Sequence, residues 1–146
     1  MTSSISTSYA STVVQKTALA VGSVFLLVGI AGFIPGLTSN MDTMQFAGHG
    51  SEAALLGLFQ VSALHNIVHL LFGIVGVTLA KTAPNARKFL LFGGIVYLIL
   101  WVYGLVAAGQ ESVINFVPLN SADNVLHLVL GAGMVALSFL TTRRRN

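Results

Sequence analysis

The sequence predicts an all-α integral membrane protein, a four-helix bundle built from two tandem two-helix repeats. Three observations lead there. Four apolar runs, at about 17–37, 61–80, 88–108 and 122–141, are each roughly the 20 residues that a helix needs to cross the hydrocarbon. The stretch Leu64-His-Asn-Ile-Val-His-Leu-Leu-Phe-Gly73 returns as Ala122-Asp-Asn-Val-Leu-His-Leu-Val-Leu-Gly131, keeping Asn66/Asn124, His69/His127, Leu70/Leu128 and Gly73/Gly131 and setting His65 against Asp123. The charges, finally, sort onto the two ends of the runs.

Composition narrows the class. At 146 residues there is room for one domain, residues 16–142, behind a tail at 1–15. The chain is 55% hydrophobic and 8% charged, with a mean hydropathy of +0.86, outside the range of soluble domains. In lipid every backbone N–H and C=O needs an internal partner, and helices supply that within each segment. A β-barrel would need alternating apolar and polar residues, and no such pattern is present. The absence of cysteine removes disulfides, thiolate metal sites and cysteine nucleophiles.

The net charge of +3 is not a nucleic-acid signal. The bases are Lys16, Lys81, Arg87, Lys88 and Arg143 to Arg145; the acids are Asp42, Glu52, Glu111 and Asp123. Placed on four spans, bases flank one membrane face and acids the other. The positive-inside rule then puts both termini and the 81–88 loop in the cytoplasm, giving a multi-pass protein of the cell membrane. Arg143–Arg145 reads as a topology anchor, with binding of anionic lipid headgroups as the alternative.

Residues 1–15 are rich in Ser and Thr and predict a mobile cytoplasmic tail. A cleaved signal peptide fits poorly, because the apolar run is too long and ends in Ile34-Pro35-Gly36. The first span carries Ala18, Gly22, Phe25, Gly29, Gly32 and Gly36 at spacings of three and four, a stripe that lets another backbone approach. Residues 38–52 predict a solvated outer loop, in which Asp42, His49 and Glu52 form only a weak metal signal. Ala53–Gln60 is expected to be a helical lead-in, lying on the membrane or extending the second span.

Lys81–Lys88 predicts a short inner turn around Pro84-Asn85. The third span holds Gly93, Gly94, Tyr97, Trp101, Tyr103 and Gly104; its Trp and Tyr rings are expected to fill helix interfaces, with stacking on a cofactor as the alternative, and Tyr103 is expected in the outer aromatic belt. After a second outer loop, Asn120 is an N-cap and Asp123 sits at the N3 capping position. The first and third spans also align, Lys16 with Lys88, Gly22 with Gly94 and Gly32 with Gly104, at an offset of 72 against 58 for the second and fourth. The repeating unit is therefore a hairpin, and two copies of like orientation predict a pseudo-two-fold axis along the membrane normal.

At 100° per residue, His65, Asn66, His69, Phe72, Gly73 and Gly76 share an arc of about 120°. Asp123, Asn124, His127, Leu130, Gly131 and Met134 share the matching one. Lipid should not face either arc, so the second and fourth helices are expected to turn them inward. There His69 and His127 would pair at one depth, about 6 Å below His65 and Asp123.

Three readings compete for this polar set of His65, Asn66, His69, Asp123, Asn124 and His127. The side chains hydrogen-bond between helices and fix register; or His69 and His127 ligate haem b or a metal ion, with His65 and Asp123 completing the site; or the arc lines a proton or solute path. The structural reading leads.

The motif resembles a domain-of-unknown-function (DUF) family of small four-helix membrane proteins, mainly actinobacterial. The resemblance rests on Phe59-Gln60, Leu64-His65-Asn66, Val68-His69-Leu70 and Gly73. In the second copy it rests on Asn115-Phe116, Asn120, Ala122-Asp123-Asn124, Leu126-His127-Leu128 and Gly131. It covers about residues 16–140 and implies a cytoplasmic-membrane protein without an established activity.

No Ser/His/Asp set, paired carboxylates or phosphate loop is present, so no enzyme is expected. The sequence points to a structural or accessory subunit in the bilayer, partnered by another membrane protein or its own copy through the glycine faces of the first and third spans. The packing glycines are Gly22, Gly29, Gly32, Gly73, Gly94, Gly104 and Gly131. A haem- or metal-binding, redox-type subunit is the runner-up.

Overall fold

The structure, a computed structural model, describes residues 9–140. The first eight residues of the expected tail and Arg143–Arg145 lie outside the described residues. The chain is mostly helical: α1 (Val13–Ala31), α2 (Ala63–Leu79), α3 (Ala83–Ala107) and α4 (Ser121–Leu140). Between α1 and α2 run three two-residue strands, β1 (Thr38–Ser39), β2 (Ala54–Leu55) and β3 (Phe59–Gln60), and a 3-10 turn at Met41–Thr43. The helices α1, α3 and α4 are long and apolar enough to cross a membrane. At 17 residues α2 is shorter.

Local chemistry moves several boundaries from where hydropathy puts them. Thr12 and Gln15 form a reciprocal capping box, so α1 starts inside the segment expected to be tail. Pro84 sits in the first turn of α3, where a missing N–H costs nothing, so the expected 81–88 turn shrinks to Ala80–Thr82. The expected helical lead-in at Ala53–Gln60 is wrong. It is a β-hairpin, in register Ala54↔Gln60 and Leu55↔Phe59, with β1 paired on its other edge. Leu56 and Gly57 both take positive φ, 53° and 67°, and the Leu58 N–H returns to the Leu55 carbonyl at 3.1 Å. That is the mirror-image turn whose twist suits a hairpin. Ala53, Leu55 and Val61 are then buried beneath it, against Val28 and Ala31.

In the bundle α1 lies along α2 and α3 along α4, and the two helical hairpins meet mainly where α1 crosses α3. Ala18, Phe25, Phe89, Leu90, Tyr97 and Met134 fill that junction. Inside each hairpin the backbones touch. A Cβ on Gly22 would stand 2.7 Å from the Val77 backbone nitrogen, and one on Gly94 would stand 2.8 Å from the Gly131 carbonyl oxygen. Only glycine permits such an approach. This corrects the expectation that the glycine faces of the first and third spans are open to a partner. Gly22, Gly29 and Gly32 are closed over by α2, and Gly94 and Gly104 by α4.

Candidate functional site

The two caps build the floor of the loop end. Ser62 Oγ accepts the His65 N–H at 3.2 Å and starts α2. At the equivalent place Asn120 Oδ1 accepts the Asp123 N–H at 3.0 Å, while Asp123 Oδ2 accepts the Asn120 N–H at 2.9 Å. The same carboxylate oxygen accepts the Gln60 N–H at 3.0 Å, so a buried Asp123 ties α4 to β3. Asn120 Nδ2 donates to the Leu58 carbonyl at 2.7 Å, and the Gly48 N–H to the Phe116 carbonyl at 2.7 Å. The two loops at this end are thus sewn into one cap.

Beneath the cap lie three imidazoles. His65 and His69 are one turn apart on α2, with ring centroids 4.5 Å apart, and His127 comes from α4, 6.4 Å from His65. The closest ring contacts run through His65, which joins the expected pair of His69 and His127 in one group of three around the same cavities. Phe25 stands 5.7 Å from His69, Tyr97 stands 5.3 Å from His127, and Phe25 and Tyr97 are 5.3 Å apart. The Nδ1 atoms of His65, His69 and His127 are all buried with no protein partner. All three rings border a cavity of about 260 Å³ that extends to Leu64, Val68, Leu100 and Phe116, and also a smaller one of about 100 Å³ that reaches Asp123 and Phe59.

Not every residue of the expected polar set belongs here. Asn66 Nδ2 donates to the Gly32 carbonyl at 2.9 Å, deep between α1 and α2. The Asn124 amide lies against Gly104, between α3 and α4. Both asparagines therefore serve their own helical hairpin, and the expected single cluster between the second and fourth helices divides into a histidine group and two separate asparagine locks.

The contacts recur at fixed offsets. Gly32 meets Asn66 as Gly104 meets Asn124, and Gly73 meets the Leu26 backbone as Gly131 meets the Leu98 backbone. Phe25 and Tyr97, also related by 72, are ring neighbours of His69 and His127, tilted at 47° in the first pair and edge-on at 80° in the second. Phe25 as a ring neighbour of the histidines was missed from sequence, though the offset of 72 that pairs Gly22 with Gly94 also pairs it with Tyr97. Gln15 was missed too. Buried, it donates from Nε2 to the Ala80 and Lys81 carbonyls at 3.1 and 2.9 Å, and the Thr12-x-x-Gln15 pattern announces its capping half.

For a metal, the donors do not converge: among the described residues no three His, Asp or Glu side chains are placed to share an ion, and Asp42, His49 and Glu52 do not come together. Haem b fits no better. An engineered cavity of about 150 Å³ takes one benzene, so 260 Å³ holds about one substituted ring and not a porphyrin. Phe25 and Tyr97 also fill the centre that a macrocycle would need.

The family model for a domain of unknown function, DUF4383, matches residues 15–140. No curated protein and no solved structure matches the chain.

Proposed function

The chain belongs to the DUF4383 family, whose function is unknown, and on that premise we propose that it is a four-span integral protein of the cell membrane acting as a structural or accessory subunit rather than as an enzyme. The observation that carries this reading is the belt of large apolar side chains left facing outward along every helix. Leu27 on α1, Leu71 on α2, Ile99 on α3 and Val129 on α4 are all exposed. In water such a contiguous surface would be an aggregation liability, whereas lipid solvates it. Lys16, Lys81, Arg87 and Lys88 gather at the end opposite the cap, and Asp42, Glu52 and Glu111 at the cap, so the cap faces outward and the α2–α3 turn faces the cytoplasm.

The matching contacts at offsets of 72 and 58 support duplication of one helical hairpin, with the two copies related by a pseudo-two-fold along the membrane normal. On this reading α2, about 25 Å long at 1.5 Å per residue, spans with help from the cap above it. An alkaline carbonate wash of membranes containing the tagged chain is expected to leave it in the pellet; release into the supernatant would overturn the assignment. In mild detergent the tagged chain is expected to run larger than its 15.3 kDa accounts for, together with a partner. A lone monomer there would remove the subunit role.

A further inference from the structure

The larger cavity has a direction. Its inner end is the three imidazoles, and its other end lies among Leu64 and Val68 of α2, Leu100 of α3 and Phe116 of the second loop. Val68 is 47% exposed and Phe116 56% exposed, so the cavity reaches the flank of the bundle rather than ending in the core. In the bilayer that flank faces lipid. A ligand would arrive sideways, through the apolar mouth, and meet polar atoms only at the floor.

Three properties of the floor select the ligand. Its polar groups are three imidazoles, each with a buried Nδ1 that has no hydrogen-bond partner, and an imidazole nitrogen donates to a carbonyl or hydroxyl oxygen or accepts from a hydroxyl according to tautomer. No Lys or Arg lies at this end among the described residues, and a buried Asp123 borders the adjoining cavity. An anionic head would therefore find no Lys or Arg countercharge in a largely apolar pocket, with a carboxylate in the adjoining cavity, which disfavours it. The volume, about 260 Å³, suits one six-membered ring with substituents and is too small for a fused-ring sterol body.

We propose that His65, His69 and His127 form the floor of a lateral binding pocket for a membrane-borne amphiphile with a neutral, single-ring, oxygen-bearing head, the chemistry shared by phenols and quinones, its apolar tail leaving past Val68 into the lipid. The pocket rests on the membrane reading above and adds a ligand class to it. Nothing in it requires a redox step by the protein.

Trp101, the sole tryptophan, lies one turn, or about 6 Å, from the pocket-lining Tyr97 along α3 and reports occupancy. Quinones quench indole fluorescence. The full-length protein in detergent micelles is titrated with a benzoquinone carrying a ten-carbon tail, and saturable quenching is expected. Val68→Phe, at a half-exposed position where folding tolerates bulk, narrows the mouth and should raise Kd by about tenfold or more; His69→Leu should do the same by removing a floor nitrogen. Decylbenzene, the same tail without ring oxygens, should fail to displace the quinone. Quenching that rises linearly without saturating, or saturable quenching untouched by both variants, overturns the pocket. Displacement by decanoate as strong as by a tail-matched phenol overturns the neutral-head assignment. Failure of the membrane reading looks different, since the chain would then leave the membrane in carbonate.

Discussion

Asn66 and Gly32 form a buried lock between α1 and α2, the Asn66 Nδ2 donating to the Gly32 carbonyl at 2.9 Å with its side chain pressed on the space where a Cβ would be. Asn124 likewise presses its amide on the space where a Gly104 Cβ would be, in the second helical hairpin. The pairing explains why an amide is tolerated in so apolar a chain: it is satisfied on one side by a carbonyl that only glycine exposes.

Gly32→Ala should therefore displace the Asn66 amide and destabilise the protein by about 1–3 kcal/mol, the usual range for overpacking. Asn66→Ala should cost a similar amount by losing the hydrogen bond. In the double variant the clash has no partner, so the combined loss in thermal stability should be smaller than the sum. Simple additivity of the two would mean that the lock is incidental.

A second pair of glycines separates close packing from mere helix propensity. On Gly22 a Cβ meets α2 backbone at 2.7 Å, whereas on Gly133 it meets nothing. Gly22→Ala is expected to lower the melting temperature in detergent, while Gly133→Ala should raise stability by about 0.5–1 kcal/mol through the ordinary Gly-to-Ala gain in a helix. Equal responses would refute the packing assignment.

These glycines show what the sequence discloses. Gly22, Gly73, Gly94 and Gly131 announce close backbone approach by spacing alone, but spacing does not say to whom. The same stripe serves a partner or a neighbouring helix equally well, and here the glycines close α1 on α2 and α3 on α4. Helix existence and polar positions follow from hydropathy and repetition. The hairpin at Leu56-Gly57 does not, because residues 53–59 are apolar throughout and its signal is a single glycine beside a leucine in a backbone conformation that leucine seldom takes. The grouping of His65 with His69 and His127, rather than with Asn66, depends on which side of α2 each neighbour covers, and only tertiary packing decides that.

Asp123 bonds two backbone N–H groups, Asn120 on its own helix end and Gln60 on β3. Asp123→Ala should cost about 1.5–3 kcal/mol, the range for hydrogen bonds to a charged group, and should speed amide exchange at Gln60 together with Asn120. Asp123→Asn should restore much of the protection. Faster exchange at Asn120 alone would show that the carboxylate only caps α4.

At the opposite end Gln15 holds the α2–α3 turn through the Ala80 and Lys81 carbonyls. Gln15→Ala should free that turn and accelerate tryptic cleavage after the exposed Lys81 by several-fold. An unchanged cleavage rate would show that the turn is held by other contacts.

A four-span chain of the proposed orientation has the loop cap outside and the α2–α3 turn inside. The absence of native cysteine makes single-cysteine labelling free of background. Asp42→Cys and Glu111→Cys place a thiol in each loop of the cap, and Asn85→Cys places one at the turn end of α3. In intact cells a membrane-impermeant maleimide should label the first two and spare Asn85→Cys until the membrane is permeabilised. Labelling of Asn85→Cys in intact cells, or protection of either loop position, would overturn this topology.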